Sequence, residues 1–517
     1  MVLAVAQTWP LASDPGRLAR TDNADAALNI WAVSWVGTHL FSDPARVFDA
    51  NIFYPERRTL AYSEAMLLQG VVAAPVLALG GSPVLAFNVA LLAGFALTGW
   101  AFCLLVQRWT GSWTAGLVSG SLAAFTSHIL VRMGHLQSMH LEFFAVMLYA
   151  LDRVIVSPHL KHAALLALGF TLQALTSIYL LVFSVWTMLF AFIGRITGWI
   201  RGGVRLAMAL GVSAGLALVL LWPMLSAYVN LRAETGMARS ADDQLAGSWW
   251  QYLGTGARVH RWWVPAEAAS SGSYAFPGVL AIVLTTCALS RRDTRSDPRV
   301  RMCAAAAVGC LAVSMAPRLP FYPALHRWIP LFQAVRVPAH LSQEVLLMIA
   351  VLAGFGVIAA RRRWPRLASW PVGVALVLIV NLEAMRAPIG YVRFDGVPDV
   401  FTSLAAERGA VVVELPFPIP QQWFLNASYM LNSTKHWRPM LNGYSGFRPA
   451  SYERSYEAAR GFPNEESLIA LHELGVTHMI VHTDAFGSDR VEALARVQSL
   501  QQVASEGDIV IYRFRTR

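Results

Sequence analysis

Two carboxylates near the start of the chain could carry acid–base chemistry. Asp22 and Asp25 lie in the run Thr21-Asp22-Asn23-Ala24-Asp25, just before a helical stretch. With Asp22 as the N-cap and Asp25 three residues later, the pair would form a capping box for an amphipathic helix. A carboxylate fixed at a helix start could also act as general base for an acceptor hydroxyl. We expect Asp25, or Asp22, to be catalytic, with the capping role as the alternative.

Arginines form a second set of residues with a recognisable chemistry. A guanidinium group presents a fork of N–H donors that matches phosphate oxygens, so an anionic lipid headgroup is a natural ligand. The alternative is that these side chains snorkel to bulk phospholipid. We single out Arg336, in the tight context Val335-Arg336-Val337-Pro338, and expect the same chemistry from Arg57, Arg58 and Arg132.

Polar residues in two further segments complete the candidate binding set. His135 and Gln137 lie in a short loop, where they could donate hydrogen bonds to a substrate. His135 and His140 are five residues apart, a spacing that does not make a helical metal pair, so we predict no metal ligand there. Glu64 is predicted in the first turn of a helix, where it would bind substrate or simply complement the helix dipole.

The segment 429–447 interleaves aromatic residues with amide and hydroxyl groups. Such a mixture can bind the apolar face and the hydroxyls of a sugar ring together. The alternative is a turn-rich packing segment, because Asn-Gly and Ser-Gly favour turns. The candidate binding residues here are His436, Trp437, Asn442 and Tyr444.

The composition determines which elements must position these residues. The 517 residues are 56% hydrophobic and only 14% charged, whereas soluble domains carry roughly 25% charged residues. Apolar runs of about 20 residues, the length that crosses a bilayer, recur along most of the chain. The net charge of +10 is therefore attributed to membrane orientation, and no nucleic-acid partner is expected.

We predict eleven transmembrane helices. Residues 1–12 are the end of a first span whose natural start is expected to be incomplete, and 61–80 is an interfacial or re-entrant helix. The other spans are 83–107, 113–130, 139–156, 162–178, 179–194, 204–222, 276–290, 302–316, 341–360 and 367–385.

Loop charge predicts the orientation of these spans. With a cytoplasmic N-terminus, the inner loops carry fifteen basic residues and three acids, as the positive-inside rule requires. The transmembrane domain is then 1–387, with external loops 13–82, 131–138, 223–275 and 317–340. Residues 388–517 are predicted to form a small extracytoplasmic α/β domain, in which short β-rich runs at 410–415, 477–482 and 508–514 alternate with helical stretches.

The ordering of these features resembles the GT-C superfamily of membrane glycosyltransferases, which includes protein O-mannosyltransferases and aminoarabinose transferases. The resemblance rests on the acidic first external loop, the interfacial helix, a second span ending in Gln107-Arg108-Trp109-Thr110-Gly111, and an external C-terminal domain. It covers roughly residues 1–200 in order and spacing. It implies that Asp25 or Asp22 takes the place of the first-loop catalytic aspartate, and that the loop around His135–Gln137 replaces one that often carries a second acid.

The resemblance implies a function at the outer face of a plasma membrane, the inner membrane in a bacterium. A sugar would pass, with inversion, from a polyprenyl-phosphate-linked donor to an extracytoplasmic lipid, glycan or protein. Donor, acceptor and membrane lipids are the expected partners. No cofactor is assigned, and a divalent cation stays open because the second external loop has no aspartate. A flippase of lipid-linked sugars and a non-catalytic scaffold for envelope assembly are the alternatives.

Overall fold

The computed structural model describes residues 1–237, 240–270 and 273–515, with no side-chain placement for residues 367 and 368. The predicted external segments 223–275 and 388–517 therefore include a few residues outside the described part. Within it the chain is mostly helical, with six β-strands: β1 (Leu18–Ala19), β2 (Val392–Arg393), β3 (Val412–Leu415), β4 (His478–His482), β5 (Leu500–Glu506) and β6 (Ile509–Phe514).

The α-helices are numbered along the chain. The first twelve are α1 (Val2–Gln7), α2 (Ala24–His39), α3 (Leu67–Ala78), α4 (Pro83–Thr110), α5 (Trp113–Ala124), α6 (Ser127–Val131), α7 (Glu142–Val156), α8 (Leu160–Thr176), α9 (Ile178–Ile193), α10 (Ile196–Thr235), α11 (Ala266–Ser270) and α12 (Val279–Ser290). The others are α13 (Arg292–Arg295), α14 (Pro298–Met315), α15 (Tyr322–Trp328), α16 (Pro330–Gln333), α17 (Ser342–Arg363), α18 (Trp370–Ala384), α19 (Thr402–Ala405), α20 (Asn426–Asn432), α21 (Ala450–Ala459), α22 (Glu465–Glu473) and α23 (Ser488–Ala495).

Among the described residues, five helices are long and apolar enough, by length and composition, to cross a membrane. They are Pro83–Thr110, Trp113–Val131, Ile196–Thr235, Pro298–Arg318 and Pro338–Arg363, and five shorter apolar helices of 10–17 residues accompany them. This supports a polytopic helical membrane protein, while the number of eleven spans stays a prediction. The predicted span 113–130 is interrupted, because α5 ends before Phe125 and Thr126 caps α6 by accepting a hydrogen bond from the Ile129 N–H at 3.2 Å.

Contacts divide the chain into two compact units. One contains residues 1–13, 90–226 and 238–390, and the other contains residues 14–89, 227–237 and 391–517. The boundary that the sequence predicts at 387/388 stays a prediction. Within the second unit, most of the loop predicted to be external, residues 13–82, shares its contacts with the C-terminal residues, and the β1–β2 pair joins Leu18 to Arg393.

In the first unit, α17 lies at the centre of the bundle. Of its 18 most apolar consecutive residues, 89% are buried. The helix packs against α5, α12 and α14. Gly356 lets α12 approach, because a methyl group at this position would lie 1.9 Å from the carbonyl oxygen of Leu284. Small residues allow such close packing between membrane helices.

In the second unit, the core is a four-stranded mixed sheet of order β3-β4-β6-β5. β3 and β4 are parallel, whereas β6 is antiparallel to both β4 and β5. The strands predicted at 410–415, 477–482 and 508–514 are confirmed as β3, β4 and β6. Strand β5 is not predicted from the sequence, because its residues are mostly exposed and polar and lack the alternating apolar pattern of a half-buried strand.

Helix α2 departs from the prediction in its environment. Every residue from Ala26 to Val36 is buried, so the helix is not amphipathic. It packs against α3 and α20, and a helix covered on all sides needs apolar residues all round. The predicted helix at 61–80 is shorter than expected, because a 3-10 turn at Thr59–Tyr62 precedes α3.

We expect Gly356→Ala to destabilise the protein, because the added methyl group collides with the backbone of α12. Overpacking of this kind costs about 1–3 kcal/mol, which thermal unfolding of the purified protein in detergent would report as a lower Tm. Gly211→Ala is the matched control, since a methyl group there meets nothing within 4 Å. Equal unfolding temperatures for the two variants would contradict the close packing of α12 and α17.

Candidate active site

Asp25 lies in the first turn of α2, but the cap differs from the prediction. Asn23 is the N-cap residue, and its Oδ1 accepts hydrogen bonds from the backbone N–H groups of Asp25 (2.9 Å) and Ala26 (3.2 Å). The predicted cap by Asp22 is therefore wrong, because the asparagine one residue later satisfies these donors. Asp25 is thus placed by the backbone at a helix N-terminus, where a negative charge is favourable.

Tyr444 meets Asp25 across 419 residues of sequence. Its hydroxyl donates a hydrogen bond of 2.7 Å to Asp25 Oδ1. Two residues predicted independently for the site are thereby brought together inside the second unit. Both side chains are partly exposed, so the carboxylate is held in position without being enclosed.

The segment before Tyr444 is fixed by backbone pairing. The Phe53 N–H donates to the Asn442 carbonyl (3.1 Å) and the Met440 N–H donates to the Asn51 carbonyl (2.8 Å). On the other side of this segment, the Leu441 N–H donates to the Val412 carbonyl at 2.9 Å. Gly443 allows the contact, because a methyl group there would lie 2.6 Å from the Phe53 ring. First-loop residues thus extend the edge of the sheet and place Tyr444.

Asp22 is less suited to catalysis than Asp25. Its side chain is 47% exposed and forms an ion pair with Arg20, whose Nε lies 3.3 Å from Asp22 Oδ1. Exposed pairs of this kind contribute little and hold their geometry loosely. Of the two candidate bases, the structure therefore favours Asp25.

Arg57, Arg58 and Glu64, the other candidates from residues 13–82, differ from one another in their burial and contacts. Arg58 Nη1 lies 2.5 Å from Glu234 Oε2, so this guanidinium is committed to a carboxylate, whereas Arg57 is exposed. Glu64 is buried, with 8% of its surface exposed. It precedes α3, which begins at Leu67. The prediction that Glu64 occupies the first turn of a helix is therefore wrong, because the chain is still non-helical at that point.

In the first unit, four basic side chains lie around His340. This residue interacts electrostatically with His128, Arg132, His135 and Arg336, and its ring packs edge-on against that of His128, with centroids 5.4 Å apart. Together with His340, these residues form what we call the Arg–His cluster. Arg132, His135 and Arg336 were predicted from sequence, whereas His128 and His340 were missed because histidines inside apolar runs carry no motif.

The loop that carries Arg132 and His135 is well anchored. The His135 N–H donates to the Arg132 carbonyl at 2.7 Å, and Gln343 Nε2 on α17 donates to the Ser138 carbonyl at 2.9 Å. Gln137 Oε1 is buried and has no hydrogen-bond partner among the described residues. Because buried polar atoms are normally paired, this oxygen is available to a ligand.

Arg336 combines a fixed backbone with an exposed side chain. Its N–H donates to the Tyr179 hydroxyl (3.0 Å), and its carbonyl accepts from the Leu245 N–H (3.0 Å). The guanidinium remains exposed. A firmly held loop that presents a free-standing cationic fork suits recognition of an anion.

Three candidates from the C-terminal segment serve the packing of the second unit. Asn442 is fully buried, accepts from the Glu414 N–H (2.7 Å) and donates to the Glu414 carbonyl (2.9 Å). Trp437 packs edge-on against Trp35, with ring centroids 5.4 Å apart. His436 is buried beside Phe401, and its Nδ1 accepts from the Arg438 N–H at 2.9 Å. For these residues the packing alternative fits better than substrate binding.

One group of side chains in the second unit has metal-binding chemistry. His482, Asp484 and Asp508 each offer a ligand atom, and these atoms lie within 4.8 Å of one another. The sequence predicts no metal ligand among these residues. They are distant in sequence and form a group only when β4 and β6 pair, so no local motif reveals them.

Comparison with solved structures identifies the fold. An arabinofuranosyltransferase, AftD from mycobacteria, matches 100% of this chain with a TM-score of 0.61 and 16% sequence identity. The chain spans 39% of the AftD chain. ArnT from Cupriavidus metallidurans, bound to undecaprenyl phosphate, matches over 94% of this chain and 96% of its own, with a TM-score of 0.46 and 13% identity. The oligosaccharyltransferase AglB from Archaeoglobus fulgidus, in complex with an inhibitory peptide and a dolichol-phosphate, matches over 93% of this chain and 68% of its own, with a TM-score of 0.48 and 12% identity.

The chain shares its fold with AftD, and this agrees with the fold that the resemblance to the GT-C superfamily predicts from the sequence. This conclusion rests on the likeness to AftD. Comparison with protein-family models gives no match, and comparison of the sequence with curated proteins gives none either.

A testable consequence concerns His436. Burial, reinforced by the charge of Arg438, lowers its pKa from 6.5 to about 3. Because the folded-state pKa lies below that of the unfolded chain, His436 contributes stability above pH 6.5 that is lost as the pH falls towards 3. We expect His436→Asn, which keeps an acceptor oxygen but cannot be protonated, to flatten the loss of unfolding free energy between about pH 6.5 and pH 4.

The measurement is denaturant unfolding of the purified protein across this pH range. His472→Asn is the control, because His472 is an exposed histidine of the same unit and its replacement should leave the wild-type slope. Parallel curves for His436→Asn and the wild type would show that His436 is not buried in its neutral form.

Proposed function

We propose that this protein transfers a sugar from a polyprenyl-phosphate-linked donor to an acceptor outside the membrane, with inversion of the anomeric centre. The observation that carries the proposal is the likeness of the whole chain to the arabinofuranosyltransferase AftD. The structures of ArnT and AglB hold undecaprenyl phosphate and dolichol-phosphate. We propose a plasma-membrane location, with the N-terminus in the cytoplasm and the C-terminal residues outside, as loop charge predicts.

Asp25 is the proposed general base. It would take the proton of the acceptor hydroxyl as the hydroxyl oxygen attacks the anomeric carbon, and the bond from that carbon to the donor phosphate oxygen would break. The helix N-terminus and the Tyr444 hydroxyl hold the carboxylate ready for this step. A base must be fixed in geometry before its basicity can be used.

The Arg–His cluster, in which the arginines carry the positive charge, is the proposed binding site of the donor phosphate. As the glycosidic bond breaks, the departing lipid phosphate gains negative charge, and fixed cationic donors lower the energy of that state. Arg336 is suited to grip phosphate oxygens in pairs, and Gln137 Oε1 can accept a hydrogen bond from a donor hydroxyl. Arg132 and His135 would share the charge.

The ring of Trp423, together with Tyr444, is the proposed platform for the acceptor. The two rings pack edge-on with centroids 5.1 Å apart, and both are partly exposed. Tyr444 also touches Asp25, so an acceptor lying on this platform would have its hydroxyl near the base. The sugar that is transferred, hexose or pentose, is left open in this proposal.

We expect Asp25→Asn to lower transfer by about 100- to 10,000-fold, which is the usual contribution of a general base. Donor binding should be unchanged, because Asp25 acts on the acceptor. The assay is release of polyprenyl phosphate from a radiolabelled lipid-linked sugar by the purified protein in the presence of acceptor. A scaffold would bind the donor without releasing the phosphate, and a flippase would move it across a vesicle membrane unchanged.

Asp22→Asn discriminates between the two aspartates. It should retain nearly full transfer, because Asp22 is exposed and paired with Arg20. Tyr444→Phe should have an intermediate effect, since it removes only the hydrogen bond that holds Asp25. If Asp25→Asn remains active while Asp22→Asn does not, the general base is Asp22 and Asp25 has no catalytic role.

A separate prediction concerns the donor phosphate. Arg336→Ala should raise the KM for the lipid-linked donor by about tenfold or more, because one charged hydrogen bond contributes about 1.5–3 kcal/mol. Arg327→Ala is the matched control, since Arg327 is an exposed arginine of the same external segment and lies over the Trp328 ring. Equal KM values for both variants would exclude a phosphate-binding role for Arg336.

A further inference from the structure

The end of the four-stranded sheet carries a second cluster with ligand chemistry. His482 is the last residue of β4, Asp484 follows two residues later, and Asp508 immediately precedes β6. Their ligand atoms lie within 4.8 Å of one another. One imidazole nitrogen and two carboxylates at this spacing could surround a single ion.

The sheet itself positions these three residues. His482 pairs with Ile509 in the β4–β6 register, which brings Asp508 beside it. Both the N–H and the hydroxyl of Thr483 donate to the Asp508 carbonyl, each at 2.8 Å. The cluster therefore depends on strand pairing rather than on a free loop.

The imidazole of His482 is fixed in plane and in tautomer. The Tyr429 ring stacks on it, with centroids 5.2 Å apart and planes 11° from parallel. His482 Nε2 lies 2.7 Å from Glu414 Oε1, and a carboxylate oxygen accepts the hydrogen bond, so the proton is on Nε2. In the neutral imidazole the lone pair is then on Nδ1, which is the nitrogen that can bind a metal ion. Histidines that bind metals nearly always donate their other N–H to a carboxylate or carbonyl in this way.

Glu414 supplies an independent sign that a positive charge belongs here. Its side chain is fully buried on β3, and Oε1 accepts from His482 and from Asn432 Nδ2 (3.0 Å). Its other oxygen, Oε2, is buried without a hydrogen-bond partner among the described residues. A buried carboxylate that is only half satisfied is costly unless a positive charge lies nearby. A cation on the far side of the imidazole would supply that charge.

We propose that His482, Asp484 and Asp508 bind a divalent transition-metal ion such as Zn²⁺ or Mn²⁺, with Glu414 orienting the histidine. A nitrogen ligand favours these ions over Mg²⁺ and Ca²⁺, which prefer oxygen throughout. Asp484 and Asp508 are exposed, so the ion can enter from solvent. Three protein ligands leave open positions for water or for an anionic oxygen of a ligand. This site is independent of the proposed sugar transfer.

The test is Zn²⁺ binding by the full chain in detergent, with any histidine tag removed and the protein first treated with EDTA. Titration calorimetry should show one saturable site per chain, with Ca²⁺ and Mg²⁺ much weaker, and bound Zn²⁺ should raise the Tm. Asp484→Asn combined with Asp508→Asn should abolish both effects. Glu414→Gln should weaken binding by about 10- to 100-fold, as loss of a carboxylate behind a metal-bound histidine does.

Asp489→Asn is the matched control, because Asp489 is an exposed aspartate nearby in α23 and lies outside the cluster. It should keep full binding. Unchanged Zn²⁺ binding in the double variant, or no saturable binding in the wild type, overturns the site. Equal affinity for Ca²⁺ overturns the assignment of the metal class. If Glu414→Gln fails to fold, the double variant of exposed aspartates still decides the question.

Discussion

Burying a charged side chain is costly unless a partner compensates it, and this constraint arranges the polar residues of the protein. Inside the first unit, His140 pairs with Glu142 at 3.0 Å, His260 with Glu383 at 3.1 Å, and Asp152 with Arg195. In the second unit, Glu414 contacts His482 at 2.7 Å through one carboxylate oxygen, while its other oxygen is buried without a hydrogen-bond partner among the described residues. Glu344 is the exception among the described residues, because both of its oxygens are buried without a hydrogen-bond partner. Residues left for chemistry are those at exposed or partly exposed positions, as Asp25 and Arg336 are.

The second unit shows how a loop and a distant segment can create one site. Residues 51–54 pair with 440–442, β1 pairs with β2, and α2 packs on α20. These contacts hold Tyr444 against Asp25 and explain why glycine is needed at position 443. The C-terminal residues therefore form part of the surroundings of the proposed base Asp25.

The same packing separates residues that looked alike in sequence. His436, Asn442 and Tyr444 belong to one polar and aromatic run, yet only Tyr444 reaches a candidate catalytic group among the described contacts. Asn442 satisfies the backbone of Glu414, and His436 fills a buried position beside Phe401. A pattern of residue types cannot distinguish these roles, since each depends on what lies opposite in space.

The sequence by itself predicts a polytopic helical membrane protein and the positions of most helices and strands. Apolar length predicts membrane helices because lipid leaves the backbone no other partner, and alternation predicts β3, β4 and β6. The residue types also identify Asp25 as a candidate base and Tyr444 and Arg336 as candidate binding residues. Only the tertiary structure decided that Asn23 rather than Asp22 caps α2, that Asp25 meets Tyr444, and that His128 and His340 join the arginines. The Asn23 cap is a local contact that differs from the prediction by one residue. The Asp25–Tyr444 and His128–His340 contacts instead join residues hundreds of positions apart, and packing sets that pairing, whereas local patterns report only the properties of neighbours along the chain.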